Sequence, residues 1–109
     1  MKSFVRENTW LQRSGWLDFG WGNGYVLIPQ ESHLHGKNYD DIDVYVHGGL
    51  TFSEIVDAEM IEAFGLHKDD EGQWCVGFDT VHYGDILAMW TKEKVEEETE
   101  NLKEQLLSL

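Results

Sequence analysis

The C-terminal segment constrains the fold of this chain more than any other feature. From about Thr91 onward the sequence contains no glycine or proline, and apolar residues recur at near-helical spacing: Val95, Leu102, Leu106 and Leu109. Glutamates crowd the first turns, where carboxylates favour the helix dipole. A single amphipathic helix must bury its apolar stripe, so we expect it to dock on a β-sheet formed by the rest of the chain.

Two other stretches favour strands in that sheet. Residues 41–47 (DIDVYVH) alternate strictly between polar and apolar residues, which predicts a strand with Ile42, Val44 and Val46 facing the core. Residues 74–78 (WCVGF) are typical of a second strand, and residues 80–85 of the loop that leaves it. The predicted fold class is α+β: a small, mainly antiparallel sheet with a C-terminal amphipathic helix packed on one face.

The remaining segments give weaker signals. Asn23-Gly24 favours a type I′ turn, which predicts a hairpin between residues 16–21 and 25–28. Residues 4–10 are compatible with an edge strand or an entry turn. Residues 53–64 have helix-compatible spacing, with Ser53 as the N-cap and Gly65 placed to end the helix.

Length and cysteine content suggest a simple soluble domain. With 109 residues, the chain predicts one domain, residues 1–109, with one modest core. A lone cysteine, Cys75, excludes an internal disulfide and fits a reducing cytoplasm. The first residues lack the apolar segment of a signal peptide, so we expect a mature N-terminus and a cytoplasmic protein. No apolar run is long enough for a membrane helix.

Charge is distributed unevenly along the chain. The formal net charge is −13, of which residues 1–53 contribute −2 and residues 54–109 contribute −11. This excess disfavours direct binding to nucleic acid or anionic lipid and favours a partner protein with a basic surface. The predicted partner-binding residues are the densest acidic group: Asp57, Glu59, Glu62, Asp69, Asp70 and Glu71. The alternative is that the acidic excess only maintains solubility.

Histidines and aspartates near the predicted strand ends form the candidate chemical site. His47, Asp79, His82 and Asp85 carry the nitrogen and oxygen ligands that Zn, Mn or Fe sites use. A histidine paired with an aspartate is also the minimal general-base unit. The structural alternative is that these aspartates accept backbone N–H groups in loops and His47 bridges strands. No organic cofactor is predicted, because the glycine-rich residues 20–24 and 48–49 lack a phosphate-binding pattern.

A side-chain nucleophile is harder to identify. Thr51, Ser53 and Thr80 lie near these residues, but no GxSxG elbow is present. Cys75 lies inside an apolar strand, where an inert buried thiol is expected. Catalysis at the site is therefore left open.

Several short motifs resemble a family of small proteins found in bacteriophages and prophages. They occur in the same order as in that family: Gly24-Tyr25-Val26, His33, Gly36-Lys37, Tyr39-Asp40-Asp41, Val46-His47-Gly48-Gly49-Leu50-Thr51, Gly77-Phe78-Asp79, His82 and Gly84-Asp85. The likeness covers roughly residues 22–52 and 74–108, and family members also tend to end in an acidic amphipathic helix. The segment between the two blocks looks like a variable insertion.

The resemblance implies a source type and a shared polar site, without a known activity. This sequence departs from the family at Leu34, where proline is frequent, and at Thr80, where cysteine is common. The functional expectation is a phage-type acidic accessory protein that binds and inhibits a host factor in the host cytoplasm, with an antiviral-defence component as the target. The alternative is a small hydrolase or a ligand- or metal-binding protein that uses the histidine–aspartate site.

Overall fold

A computed structural model describes residues 1–9 and 18–109. In this part of the chain the elements are β1 (Lys2–Glu7), β2 (Gly22–Ile28), β3 (Phe52–Ile55), α1 (Ala58–Phe64), β4 (Trp74–Phe78) and α2 (Lys92–Ser108). The strands form an antiparallel sheet in the order β1-β2-β4-β3. Helix α2 packs against β1 and β2, which confirms the predicted α+β class with the C-terminal helix on the sheet.

The two central strands are buried on both faces, which accounts for their continuous apolar runs. Val26 of β2 and Val76 of β4 belong to the core beneath α2. Leu27 and Cys75 point to the opposite face, where α1 and an aromatic group around Tyr25 cover them. The sheet therefore has a helix on each side, and the predicted strand at Trp74–Phe78 is confirmed.

Helix α2 begins at its predicted position and packs unusually close to β2. Thr91 is the N-cap, and its hydroxyl accepts the Lys94 N–H. The buried stripe is Val95, Thr99, Leu102 and Leu106. Including Leu109 in this stripe was wrong: the helix ends at Ser108, and Leu109 is 46% exposed.

The predicted hairpin at residues 22–24 was also wrong. Asn23 and Gly24 lie inside β2, paired with Arg6 and Val5 of β1, which is an edge strand. A Cβ at Gly24 would overlap Thr99 Oγ1 and crowd the Phe78 ring, so glycine is required by the approach of α2. Residues 16 and 17, from the first half of that hairpin, lie outside the described residues.

Residues 41–47 do not form the predicted strand, although the side chains of residues 42–46 alternate as expected. Ile42 is buried, and Val44 and Val46 are half-buried against the core. The backbone runs along α2 instead of along a strand: the Tyr45 N–H donates to Gln105 Oε1, and Gln105 Nε2 donates to the Tyr45 carbonyl, both at 2.7 Å. A side-chain amide thus satisfies the backbone groups that a neighbouring strand would otherwise pair.

The predicted helix over residues 53–64 begins later than expected. Ser53 pairs with Val76 in the sheet as part of β3, and its hydroxyl accepts the Tyr39 N–H. The helix is α1, with Asp57 as its N-cap. Gly65 ends it in the left-handed conformation (φ 67°), as predicted. Within residues 1–9 and 18–109, no helix is long and apolar enough to cross a membrane.

Candidate functional site: a histidine–aspartate centre

Three of the four predicted site residues converge where the loop after β4 meets the segment that runs along α2. We call His47, His82 and Asp85 the histidine–aspartate centre. One ligating atom from each lies within 4.8 Å of the other two. His82 and Asp85 belong to one turn, whereas His47 comes from 35 residues earlier in the chain, so the folded structure assembles the centre.

Asp85 is the hub of the centre. It is only 6% exposed, and its Oδ2 accepts the His82 N–H at 2.9 Å. His47 Nε2 lies 2.8 Å from Asp85 Oδ1, and His82 Nδ1 lies 3.1 Å from Oδ2. Burial raises the pKa of Asp85, but the hydrogen bonds from His82 and His47 outweigh burial and leave it below the ordinary value. The carboxylate is therefore ionised, and each facing imidazole nitrogen carries a proton.

Asp79, the fourth predicted residue, supports the centre from the side. Its Oδ2 accepts the Thr51 hydroxyl at 2.9 Å, and its Oδ1 accepts the Val81 N–H at 3.1 Å. The same Oδ1 lies 3.4 Å from His82 Nδ1. Asp79 thus ties the end of β4 to Thr51 and orients the His82 ring.

The position of His47 depends on helix α2 and the residue before its cap. The His47 ring packs against the Trp90 ring, tilted by 33° and with 4.1 Å between centroids. The backbone N–H of His47 donates to Glu98 Oε2 at 3.0 Å. The His47 and His82 rings meet edge to face at 5.4 Å. Sequence reasoning missed Trp90 and Glu98; the available signal was that Glu98 lies one turn from Val95 and Leu102, beside the buried stripe.

Gly48 makes room for the second imidazole. Its φ is +68°, and a Cβ at this position would overlap the His82 ring. Gly49 also has a positive φ, +78°, but open space surrounds its Cβ position. The two adjacent glycines therefore have different functions, since only Gly48 is required by a close contact.

Side chains that could serve as nucleophiles near the centre are engaged elsewhere. The Thr51 hydroxyl donates to Asp79, and buried Thr80 donates to the Gly22 carbonyl at 2.7 Å. Burial, followed by the charge of Glu54, raises the pKa of the Cys75 thiol to about 12, so this cysteine stays protonated. None of these three side chains points to the centre as a free nucleophile.

Other histidines lie apart from the centre. His33 is exposed, and His35 Nε2 lies 2.8 Å from the Gly72 carbonyl.

Next to the centre, a shallow surface depression of about 490 Å³ is lined by His82 and Asp85 together with the neighbouring loop residues Asp18, Val81, Tyr83, Gly84 and Ile86. Solvent and small ligands can therefore reach two of the three residues of the centre.

Five of the six predicted partner-binding residues are exposed: Asp57, Glu59, Glu62, Asp69 and Glu71. Asp70 is the exception. It is 7% exposed, and its carboxylate accepts Lys2 Nζ at 2.7 Å and the His67 N–H at 3.0 Å. Asp70 links the turn at residues 67–70 to Lys2 of β1 and does not belong to an acidic surface.

Comparison with protein-family models, with curated proteins and with solved structures finds no match.

Proposed function

We propose that this chain is a phage-type acidic accessory protein that inhibits a host protein by binding its basic surface, with an antiviral-defence component as the target class. The phage assignment depends on the motif resemblance. The binding mode depends on one observation: an acidic-rimmed groove between β3 and α1.

The groove combines an apolar floor with a charged rim. Its volume is about 200 Å³; Phe52, Met60, Ala63 and Phe64 form the floor, and Glu54, Asp57 and Glu59 form the rim. A lysine or arginine of a partner can lay its aliphatic stem on such a floor and place its charge among the carboxylates. The chain's own Arg6 covers the Phe64 ring at 4.0 Å and donates to the Ala63 carbonyl, so a partner's basic side chain would bind beside Arg6 and not over this ring.

Long-range charge supports the same binding mode. Residues 54–109 carry a formal charge of −11, and a field of one sign accelerates association with a basic partner and makes it salt-dependent. Glu62, Asp69 and Glu71 are also exposed and add to that field. We expect binding to weaken steeply as ionic strength rises.

Capture from lysate of a bacterial host, with paired charge reversals, tests the proposal. The groove variant is Glu54→Lys with Glu59→Lys; the control is Glu97→Lys with Glu104→Lys on the exposed side of α2, which changes net charge equally. We expect the groove variant to lose the captured protein and the control to retain most of it. The wild-type chain should raise the plating efficiency of a defence-sensitive phage, and the groove variant should not. Equal loss in both variants, or capture indifferent to salt, would contradict binding at the groove.

A second candidate function is hydrolysis or ligand binding at the histidine–aspartate centre. The 2.8 Å pairing of His47 with buried Asp85 favours it, because a fixed carboxylate sets the tautomer and orientation of an imidazole. Activity of the purified protein on chromogenic phosphate and ester substrates, compared with a His47→Ala variant, tests this function. Activity that persists in the variant would place the chemistry elsewhere.

A further inference from the structure

We propose that the histidine–aspartate centre is a binding site for a divalent first-row transition-metal ion, held by His47 Nε2, His82 Nδ1 and the Asp85 carboxylate. The proposal deepens the second candidate function and is independent of the acidic groove. Two imidazoles and one carboxylate are a ligand set that zinc and iron(II) sites use when they keep a position open for water or substrate.

The spacing of the ligand atoms fits an ion of this size. Metal–ligand bonds of about 2.0–2.2 Å place the donor atoms of a tetrahedral site roughly 3.3–3.4 Å apart. The Asp85 oxygens lie 2.8 and 3.1 Å from the two imidazole nitrogens, and the ligand atoms of the three residues all lie within 4.8 Å of one another. Small rotations of the side chains are therefore sufficient to surround an ion.

A change of tautomer makes both imidazole nitrogens available to a metal ion. The two imidazole nitrogens that face Asp85 each carry a proton that is shared with the carboxylate. When a metal ion binds, each neutral imidazole moves its single proton, by exchange with water, to the ring nitrogen that faces away from Asp85. The two freed nitrogens and the Asp85 carboxylate then hold the ion, and no net proton is lost.

The surroundings restrict where the ligands can lie. His47 is fixed by the Trp90 ring and by the Glu98 carboxylate that accepts its backbone N–H. Asp79, itself held by the Thr51 hydroxyl, lies 3.4 Å from His82 Nδ1, the nitrogen that would bind the ion. Because His82 and Asp85 also line the neighbouring depression, a fourth ligand can approach the ion from solvent.

Titration of the purified, metal-free protein with Zn²⁺, and with Co²⁺ as a spectroscopic probe, tests the site. We expect one ion per chain by calorimetry, and a visible Co²⁺ absorption band typical of four- or five-coordinate nitrogen and oxygen ligands. His47→Ala, His82→Ala and Asp85→Asn should each weaken binding at least tenfold. Circular dichroism establishes that each variant is folded.

Two matched controls make the result specific. Asp70→Asn removes a buried carboxylate from an equivalent His-x-x-Asp turn, and His33→Ala removes an exposed histidine away from the centre. Both should bind Zn²⁺ as the wild type does. Absence of stoichiometric binding in the wild type, retention of binding in both His47→Ala and His82→Ala, or equal loss in Asp70→Asn would each overturn the proposal. Binding to a host protein, measured separately with the groove variants, is unaffected by any of these outcomes.

Discussion

Residues 67–70 and 82–85 form the same local turn with different consequences. In each, an aspartate carboxylate accepts the backbone N–H of the histidine three residues earlier, at 3.0 and 2.9 Å, and the backbone N–H of the aspartate donates to that histidine's carbonyl at 2.9 Å. Both carboxylates are buried, and both have a lowered pKa because hydrogen bonds outweigh the effect of burial. The turn itself is therefore a structural device.

The two turns differ in what else approaches the carboxylate. Asp70 is neutralised by the ammonium group of Lys2 from β1, and the His67 ring turns away to accept the Asp69 N–H. Asp85 receives the imidazole of His47, and the His82 ring turns inward as well. A lysine completes a structural contact, whereas two imidazoles around one carboxylate form the centre for which we propose metal binding. The long-range partner, not the turn, distinguishes the two.

The largest expected effect is on stability, and the two turns should share it. Asp70→Ala and Asp85→Ala each remove a buried, charged acceptor from a backbone N–H and from a side-chain donor, so we expect a loss of about 1.5–3 kcal/mol in either case. Urea unfolding of both variants measures it. If only one of the two were destabilised, the turns would not be structurally equivalent.

A smaller effect on stability should distinguish Gly48, which lies against the His82 ring, from Gly49, which does not. Gly48→Ala and Gly49→Ala both place an alanine at positive φ, which costs about 1 kcal/mol. Only Gly48→Ala also collides with the His82 ring, so it should be the more destabilised by roughly another 1 kcal/mol. Imidazole NMR signals of His82 should shift in Gly48→Ala and stay unchanged in Gly49→Ala. Equal stabilities and equal spectra would contradict the assigned function of Gly48.

The loss of stability in acid should include a contribution from Asp70, the carboxylate of the structural turn. The pKa of Asp70 is below its ordinary value of 3.8, so the folded state binds the proton more weakly than the unfolded state. Its contribution to stability is therefore present above 3.8 and is lost as the pH falls through the lower folded-state pKa. Unfolding measured over about pH 2–5 should show a shallower decline for Asp70→Asn than for the wild type. An unchanged slope would mean that Asp70 is not stabilised by its contacts.

The smallest expected effect on stability is that of Lys2, whose ammonium group contacts Asp70. The Lys2 side chain is 47% exposed, so Lys2→Gln should cost less than about 1 kcal/mol, as exposed ion pairs do. Thermal unfolding with and without added salt measures the change. A cost of several kcal/mol, insensitive to salt, would mean that the contact depends on more than its charge.

The sequence predicted those parts of the fold whose signals are local. Helix α2, strand β4 and the end of α1 at Gly65 follow from spacing, capping and a glycine in the left-handed conformation. The polar types of the centre were also visible in the sequence, because histidine and aspartate follow apolar runs. Their convergence depends on contacts of His47 with α2, which no local pattern shows.

The errors came from residues whose environment is made by distant parts of the chain. Gly24 suggested a turn because Asn-Gly usually forms one, but the close approach of Thr99 requires glycine inside a strand. Residues 42–46 alternate as a strand would, and alternation cannot reveal that the backbone pairs with Gln105, 60 residues later in the chain. Trp90 and Glu98, which position His47, are similarly distant from it in sequence.

Dependence on α2 also affects when the centre can assemble during protein synthesis. His47 is held by Trp90 and Glu98, and the preceding Tyr45 is held by Gln105. The ribosome makes all three of these residues after it has made every strand of the sheet and both residues of the His82–Asp85 turn. The nascent chain therefore contains His47, His82 and Asp85 before the residues that hold His47 in place have been made. The centre is consequently among the last parts of the molecule to form.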